Sequence, residues 1–156
     1  MDTTFSQEID LLIWMLPKIL IATICGFIVG YDREKKNKVA GLRTNVLICV
    51  GSCIFTIASF LAAKYWGLSD PTRILSTIVT GIGFLGGGVI MRTDDKIIGM
   101  TTAAFIWVIS AIGILCGMGF WLSPVLLTIG LVIVLYYFES VEKYIKKEEK
   151  KNETGN

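Results

Sequence analysis

Residues 97–138 read IIGMTTAAFIWVISAIGILCGMGFWLSPVLLTIGLVIVLYYF, 42 residues without one charge. A helix that crosses a bilayer needs about 20 predominantly apolar residues, so this stretch holds two. It is broken at Gly117-Met118-Gly119 and again at Ser123-Pro124, a pattern that predicts a tight turn. Ser123 suits the cap of the following helix and Pro124 its first position. Working outward, residues 44–63 and 74–91 are also free of charge, and each fits one span. Leu11 to Tyr31 is apolar except for Lys18. A charge at the centre of a span costs about 2.5–3.5 kcal/mol on insertion scales. Lys18 sits near one end, where its stem can snorkel to the interface. The alternative turns it inward, against a carboxylate or backbone carbonyls.

The chain therefore reads as all-α, a polytopic membrane helical bundle of about five transmembrane helices. The expected spans are about 11–31, 44–64, 71–91, 98–118 and 122–138. Residues 1–138 form one transmembrane domain, and 139–156 form a charged cytoplasmic tail. The tail alternates Glu and Lys, which favours a surface-lying helical extension with pairs such as Glu139–Lys143; residues 152–156 are expected to fray. Composition agrees: 53% of residues are hydrophobic, 18% are charged, and the mean hydropathy is +0.65. A soluble domain has about 25% charged residues. The acidic start, with Asp2, Glu8 and Asp10, does not read as a cleavable signal peptide.

Sidedness follows from the basic residues. Arg33, Lys35, Lys36, Lys38 and Arg43 lie in the first loop, Arg92 and Lys96 in the third, and Lys143, Lys146, Lys147, Lys150 and Lys151 in the tail. These are 12 of the 15 basic residues, and five spans put all three segments on one side. The positive-inside rule makes that side cytoplasmic and puts the amino terminus outside.

Several chemistries are excluded. The chain has no His, which removes imidazole-based acid/base catalysis, Ser-His-Asp systems and imidazole metal sites. A net charge of +2 does not suit a nucleic-acid binder. Gly81-Ile82-Gly83-Phe84-Leu85-Gly86 matches G-x-G-x-x-G, but it lies in a hydrophobic span and not between a strand and a helix, so it is no dinucleotide site. Five glycines among residues 81–88 need another reason. Close helix packing, with Gly83 and Gly87 spaced by four, is the favoured one; a broken helix lining a polar cavity is the other. Gly26/Gly30 and Gly113/Gly117 repeat the spacing, for contacts within the chain or for a homodimer face. Cys25, Cys49, Cys53 and Cys116 all fall in spans and read as small packing residues.

Asp32 and Glu34, with Asp94 and Asp95, put carboxylates on the cytoplasmic side. Asp32 and Glu34 are the candidate metal residues, and Mg²⁺, with its oxygen ligands, is the ion they suit. Charge pairing with Arg33, Lys35 and Lys96 is the competing reading. Asp70 reads as the cap of the third helix, with Pro71 at its start and Arg73 free to anchor it. Thr101 and Thr102 open the fourth span, where hydroxyls permit interhelical hydrogen bonds.

In series, these motifs resemble the MgtC/SapB family of bacterial inner-membrane proteins. The carrying residues are Gly30-Tyr31-Asp32-Arg33-Glu34, Ala40-Gly41-Leu42-Arg43-Thr44, Asp70 with Arg73, the glycines 81–88, and Gly99-Met100-Thr101-Thr102-Ala103-Ala104 with Trp107. Longer members carry a soluble C-terminal domain, and this chain resembles a short form without it. The resemblance implies a link to Mg²⁺ homeostasis, growth at low Mg²⁺ and, in pathogens, virulence. It also implies action by binding other inner-membrane proteins, the ATP synthase among them.

The expectation is thus a non-enzymatic, multi-pass protein of the bacterial inner membrane. Its partners would be lipids, other membrane proteins and, by the small-residue spacing, a second copy. No catalytic residue and no cofactor are expected, Mg²⁺ aside. Motif candidates are Asp32, Arg33, Glu34, Gly41, Arg43, Thr44, Asp70, Arg73, Gly81, Gly83, Gly86, Gly87, Thr101 and Thr102. Arg33 and Arg43 would fix the first loop to headgroups or to a partner. The alternative function is a small Mg²⁺ or other cation channel or transporter, with Asp32 and Glu34 on its path. An intramembrane enzyme comes last.

Overall fold

A computed structural model describes residues 5–67, 70–94 and 96–154. The order is α1 (Phe5–Lys35), α2 (Leu42–Trp66), α3 (Thr72–Gly88), β1 (Met91–Arg92), β2 (Ile97–Ile98), α4 (Met100–Met118) and α5 (Leu122–Thr154). The five helices stand where the uncharged stretches put them. Four segments are long and apolar enough to cross a membrane among the described residues: α1, α2, α4 and Leu122–Glu142 of α5.

The third expected span is shorter than the sequence suggested. α3 has 17 residues and ends at Gly88, not at Met91. At about 1.5 Å per residue that is about 26 Å, a little less than the hydrocarbon core. The N–H groups of Val89 and Ile90 bond back to Gly86 and Gly87, so the helix tightens and stops. Met91 and Arg92 then pair antiparallel with Ile98 and Ile97. The tail is helical, as expected, but it is not a separate surface-lying piece. No break separates it from the last span, because α5 continues through the Glu/Lys segment to Thr154, past the point where fraying was expected. The turn between α4 and α5 comes as expected at Gly119, in the left-handed region at φ 94°, but α5 starts at Leu122, so Ser123 and Pro124 stand inside its first turn and not at its cap.

α2 lies between α1 and α4, α3 leans on α4, and α5 packs against α1 and α4. Side-chain partition is inverted relative to a water-soluble bundle. Large apolar side chains such as Phe84 (83% exposed), Leu47 and Leu122 point outward. The interior holds Ala22, the four free cysteines and the polar side chains of Asn45, Ser52, Thr56, Ser110 and Thr128. Lipid tails are as apolar as leucine, so membrane helices associate through small residues and interhelical hydrogen bonds instead. The bond between the buried hydroxyls of Ser52 and Ser110, 2.7 Å, is one of these and ties α2 to α4.

Small residues set the distance between helices. A Cβ placed on Gly26 or Gly30 of α1 would stand 2.8 Å from the Cα of Val46 or Leu42 in α2. One on Gly113 of α4 would run into the carbonyl oxygen of Cys49, and one on Gly117 would come within 2.6 Å of that of Cys53. These spacings serve contacts inside the chain.

The 81–88 run does not. Gly86 alone meets a neighbour, 3.5 Å from the Ala103 carbonyl, while Gly81, Gly83, Gly87 and Gly88 face open space among the described residues. The favoured packing between Gly83, Gly87 and a neighbour in the same chain is therefore absent. Ile82 and Gly86 already supply the buried edge of α3, and Gly83 and Gly87, each one residue on, lie about 100° round the helix from it.

Candidate functional site

The end of α1, the start of α4 and the charged part of α5 enclose a pocket of about 400 Å³. Asp32, Arg33, Lys36, Thr101, Thr102 and Glu139 are among its lining residues. α1 brings Asp32 and Arg33 here because the helix runs on past its apolar stretch to Lys35. α4 brings the two threonines because Gly99 turns the chain at φ 91°, where a Cβ would collide with the carbonyl of Val89.

Arg33 is the deepest charge of the pocket, 4% exposed. Its Nη2 donates to Thr102 Oγ1 at 2.9 Å, and the guanidinium lies over the Phe105 ring at 4.1 Å. Its Nε has no hydrogen-bond partner in the described structure. The expected anchoring of Arg33 to headgroups or to a partner is thus corrected: Thr102 and Phe105 hold it inside the bundle. Lys36 bridges two carboxylates, 3.0 Å from Asp32 Oδ1 and 2.9 Å from Glu139 Oε2. Its ammonium also faces the Tyr136 ring at 4.5 Å. Burial disfavours the Lys36 charge, but hydrogen bonds to Glu139 and Asp32, with their charges, outweigh it and raise the pKa. The lysine therefore stays protonated through the physiological range.

Glu34 does other work. Its Oε2 accepts the backbone N–H of Leu42 at 2.8 Å, so the last turn of α1 caps the first of α2. Gly41 leaves room for it, since a Cβ there would overlap that oxygen. The two candidate metal residues are thus committed to separate partners: Asp32 to Lys36, Glu34 to a helix start. Among the described residues no three Cys, Asp or Glu side chains are grouped to hold a metal ion. Asp94 is exposed, and Asp95 lies outside the described residues.

Asp70 caps α3 as the sequence indicated, accepting from Thr72 N–H at 2.8 Å and from its hydroxyl at 2.6 Å. Those bonds hold its carboxyl below the usual carboxylate range. Arg43, Thr44 and Arg73 are exposed, as are Gly81, Gly83, Gly87 and Thr101. The structure does not bring these into the pocket, apart from Thr101 on its wall.

Sequence reasoning missed Asn45. It is fully buried, and its Nδ2 donates to the carbonyls of Ala40 at 2.9 Å and Gly41 at 2.7 Å. Those bonds close the α1–α2 loop beside Gly30. An amide one turn into an apolar span, with nothing polar to explain it, was the available signal.

Comparison with known proteins follows the motifs. The MgtC family model matches residues 19–144. The chain belongs to the MgtC family. Protein SapB of Bacillus subtilis is 44% identical over 113 residues, 69% of this chain and 49% of that protein. Protein MgtC of Brucella abortus is 43% identical over 98 residues, 63% of this chain and 40% of that protein. In Escherichia coli K12, the protein named "Putative magnesium transporter YhiD" is 42% identical over 129 residues, 79% of this chain and 59% of that protein. The chain spans about half the length of these curated relatives. No solved structure matches. Family and helices together make this a membrane protein.

Proposed function

We propose that this protein serves Mg²⁺ homeostasis from the bacterial inner membrane, spanning it several times with the amino terminus outside. In this reading it acts by binding other membrane proteins and catalyses no reaction. The magnesium link rests on the family and on the name of the Escherichia coli relative. The sidedness rests on the 12 basic residues of the first and third loops and the tail.

One observation carries the partner-binding mode. Arg73, Ser76, Thr80, Gly83 and Gly87 follow one another at steps of three and four along α3, and all are exposed. Such spacing makes one stripe on a helix. Small residues on a stripe let a second helix approach closely in lipid, and hydroxyls add hydrogen bonds across it. Among the described residues, the hydroxyls of Ser76 and Thr80 bond to their own helix, at the carbonyls of Arg73 and Ser76. A helix of another protein is the occupant this surface suits. The transport reading draws less support, because Asp32 is engaged by Lys36 and Glu34 by the α2 cap.

Photocrosslinking from position 80 in native membranes at low Mg²⁺ tests the proposal. A distinct membrane protein, the ATP synthase included, is expected in the crosslinked product, and Gly83→Leu should abolish it. Recovery of the bait alone would remove the support. A product of two copies would replace the partner with a homodimer. Reconstituted Mg²⁺ flux that Asp32→Asn abolishes would overturn the proposal in favour of transport.

A further inference from the structure

At the opposite end of the bundle, where α1 begins and α2 and α4 end, lies a larger cleft of about 990 Å³. Ligand pockets run to about 300–1,000 Å³, so it is roomy enough for a lipid headgroup with part of its chains. Lys18 forms part of its wall and is 93% removed from solvent, being only 7% exposed. A lysine so buried ordinarily has an anion beside it. Here no carboxylate of the described residues lies within ion-pair distance, and the Nζ sits 3.1 Å above the Trp14 ring. The sequence offered snorkelling outward or an inward turn against a carboxylate or backbone carbonyls; among the described residues no carboxylate takes the inward role.

The rest of the lining indicates which anion would suit Lys18. Lys64 adds a second cation at the rim, Glu8 and Asp10 line the mouth with the opposite sign, and Phe60 and Leu61 supply an apolar wall. Trp14 and Trp66 both stand exposed, as amphipathic rings do at headgroup level. A simple anion would use the lysines and be repelled by Asp10. A sugar would leave the apolar wall unused. A group with a phosphate, a positive amine a few atoms away and hydrocarbon chains uses every part of the lining.

We propose that this cleft binds one zwitterionic aminophospholipid, its phosphate on Lys18, its ammonium toward Asp10 and its chains along Phe60 and Leu61. Lys18 is the phosphate ligand and Asp10 the headgroup selector. The proposal is independent of the α3 surface and of any role in Mg²⁺ physiology.

Native mass spectrometry of the full chain, delipidated in detergent, tests it with three probes: phosphatidylethanolamine, phosphatidylglycerol and inorganic phosphate. One phosphatidylethanolamine per chain is expected, held in preference to phosphatidylglycerol. Lys18→Met should weaken it by about tenfold or more, the scale of an unpaired buried charge partner; Lys18→Arg should keep most of it. Asp10→Asn should reduce the preference for the amine-bearing lipid, even with Glu8 still in the lining, while leaving phosphatidylglycerol bound. Leu61→Trp, which keeps every charge and fills the cleft, should exclude the lipid even if Lys18→Met fails to fold. Equal retention by wild type and Leu61→Trp would overturn the proposal. So would equal affinity of the wild type for the two lipids, or displacement of lipid by inorganic phosphate at matched concentration.

Discussion

Arg33 near the end of α1 and Thr102 in the first turn of α4 are joined at 2.9 Å, with the Phe105 ring beneath the guanidinium. This is a charged hydrogen bond in a setting that water barely reaches. Bonds to charged groups contribute about 1.5–3 kcal/mol, and the loss falls mainly on the group left unpaired. Thr102→Val should therefore destabilise the purified protein by about 1.5–3 kcal/mol. Arg33→Lys should recover little, because an ammonium cannot serve the hydroxyl and the ring face together. Denaturant unfolding in mixed micelles measures both; an unchanged midpoint for Thr102→Val would show the bond to be dispensable.

The glycines divide into two groups that should respond with opposite sign. Gly30→Ala and Gly113→Ala force a methyl against the backbone of α2 and should cost about 1–3 kcal/mol of overpacking. Gly83→Ala and Gly87→Ala meet nothing among the described residues, so only the helix preference remains. Alanine exceeds glycine there by about 1 kcal/mol, and the isolated protein should gain stability. Thermal melts of the four variants in one detergent separate the groups. A loss at Gly83 as large as that at Gly113 would mean that α3 is packed more closely than its surface indicates.

The helices were legible because lipid imposes a single requirement, about 20 apolar residues per span, and the chain meets it in long apolar runs that Lys18 alone interrupts, with α3 somewhat short. The cap at Asp70 and the turn at Gly119 were legible for a similar reason, since each is a local motif. What escaped was determined at a distance. Nothing near Arg33 in sequence announces Thr102, 69 positions away. Glu34 reads as loop charge until the chain folds back and presents the N–H of Leu42. Glycine spacing gave no means of telling the Gly113 contact from the open face at Gly83, because the pattern is identical and only the neighbours differ. Apolar continuity likewise hid the end of α3, which is set by backbone bonds at Gly86 and Gly87 and not by a change of composition.

Glu34 and Gly41 should act as one unit. Glu34→Gln keeps the acceptor oxygen and removes the charge, whereas Glu34→Ala removes the cap. Caps contribute about 0.5–2 kcal/mol, so the alanine variant should lose that much and the glutamine variant less. Gly41→Ala displaces the carboxylate, and adding it to Glu34→Ala should cost little more. A double-mutant cycle read by chemical denaturation checks the coupling. Fully additive losses would show that Gly41 matters for a reason other than room for Glu34.

Lys36 ties the end of α1 to α5 through Asp32 and Glu139, and the tie depends on its proton. Its folded pKa is raised above the ordinary 10.5, despite burial, by hydrogen bonds to Glu139 and Asp32 and by their charges. A group whose pKa is raised on folding contributes fully below its unfolded value and loses that contribution as pH climbs through the folded one. The pairing should thus be constant from neutral pH to about 10 and fade only in stronger alkali. Its contribution, partly screened, is about 1 kcal/mol. Glu139→Gln should remove most of it at pH 7, speed amide exchange around residues 136–142 of α5, and flatten the alkaline decline. If the wild type instead lost protection between pH 7 and 9, the lysine would have to titrate early, with burial outweighing the two carboxylates.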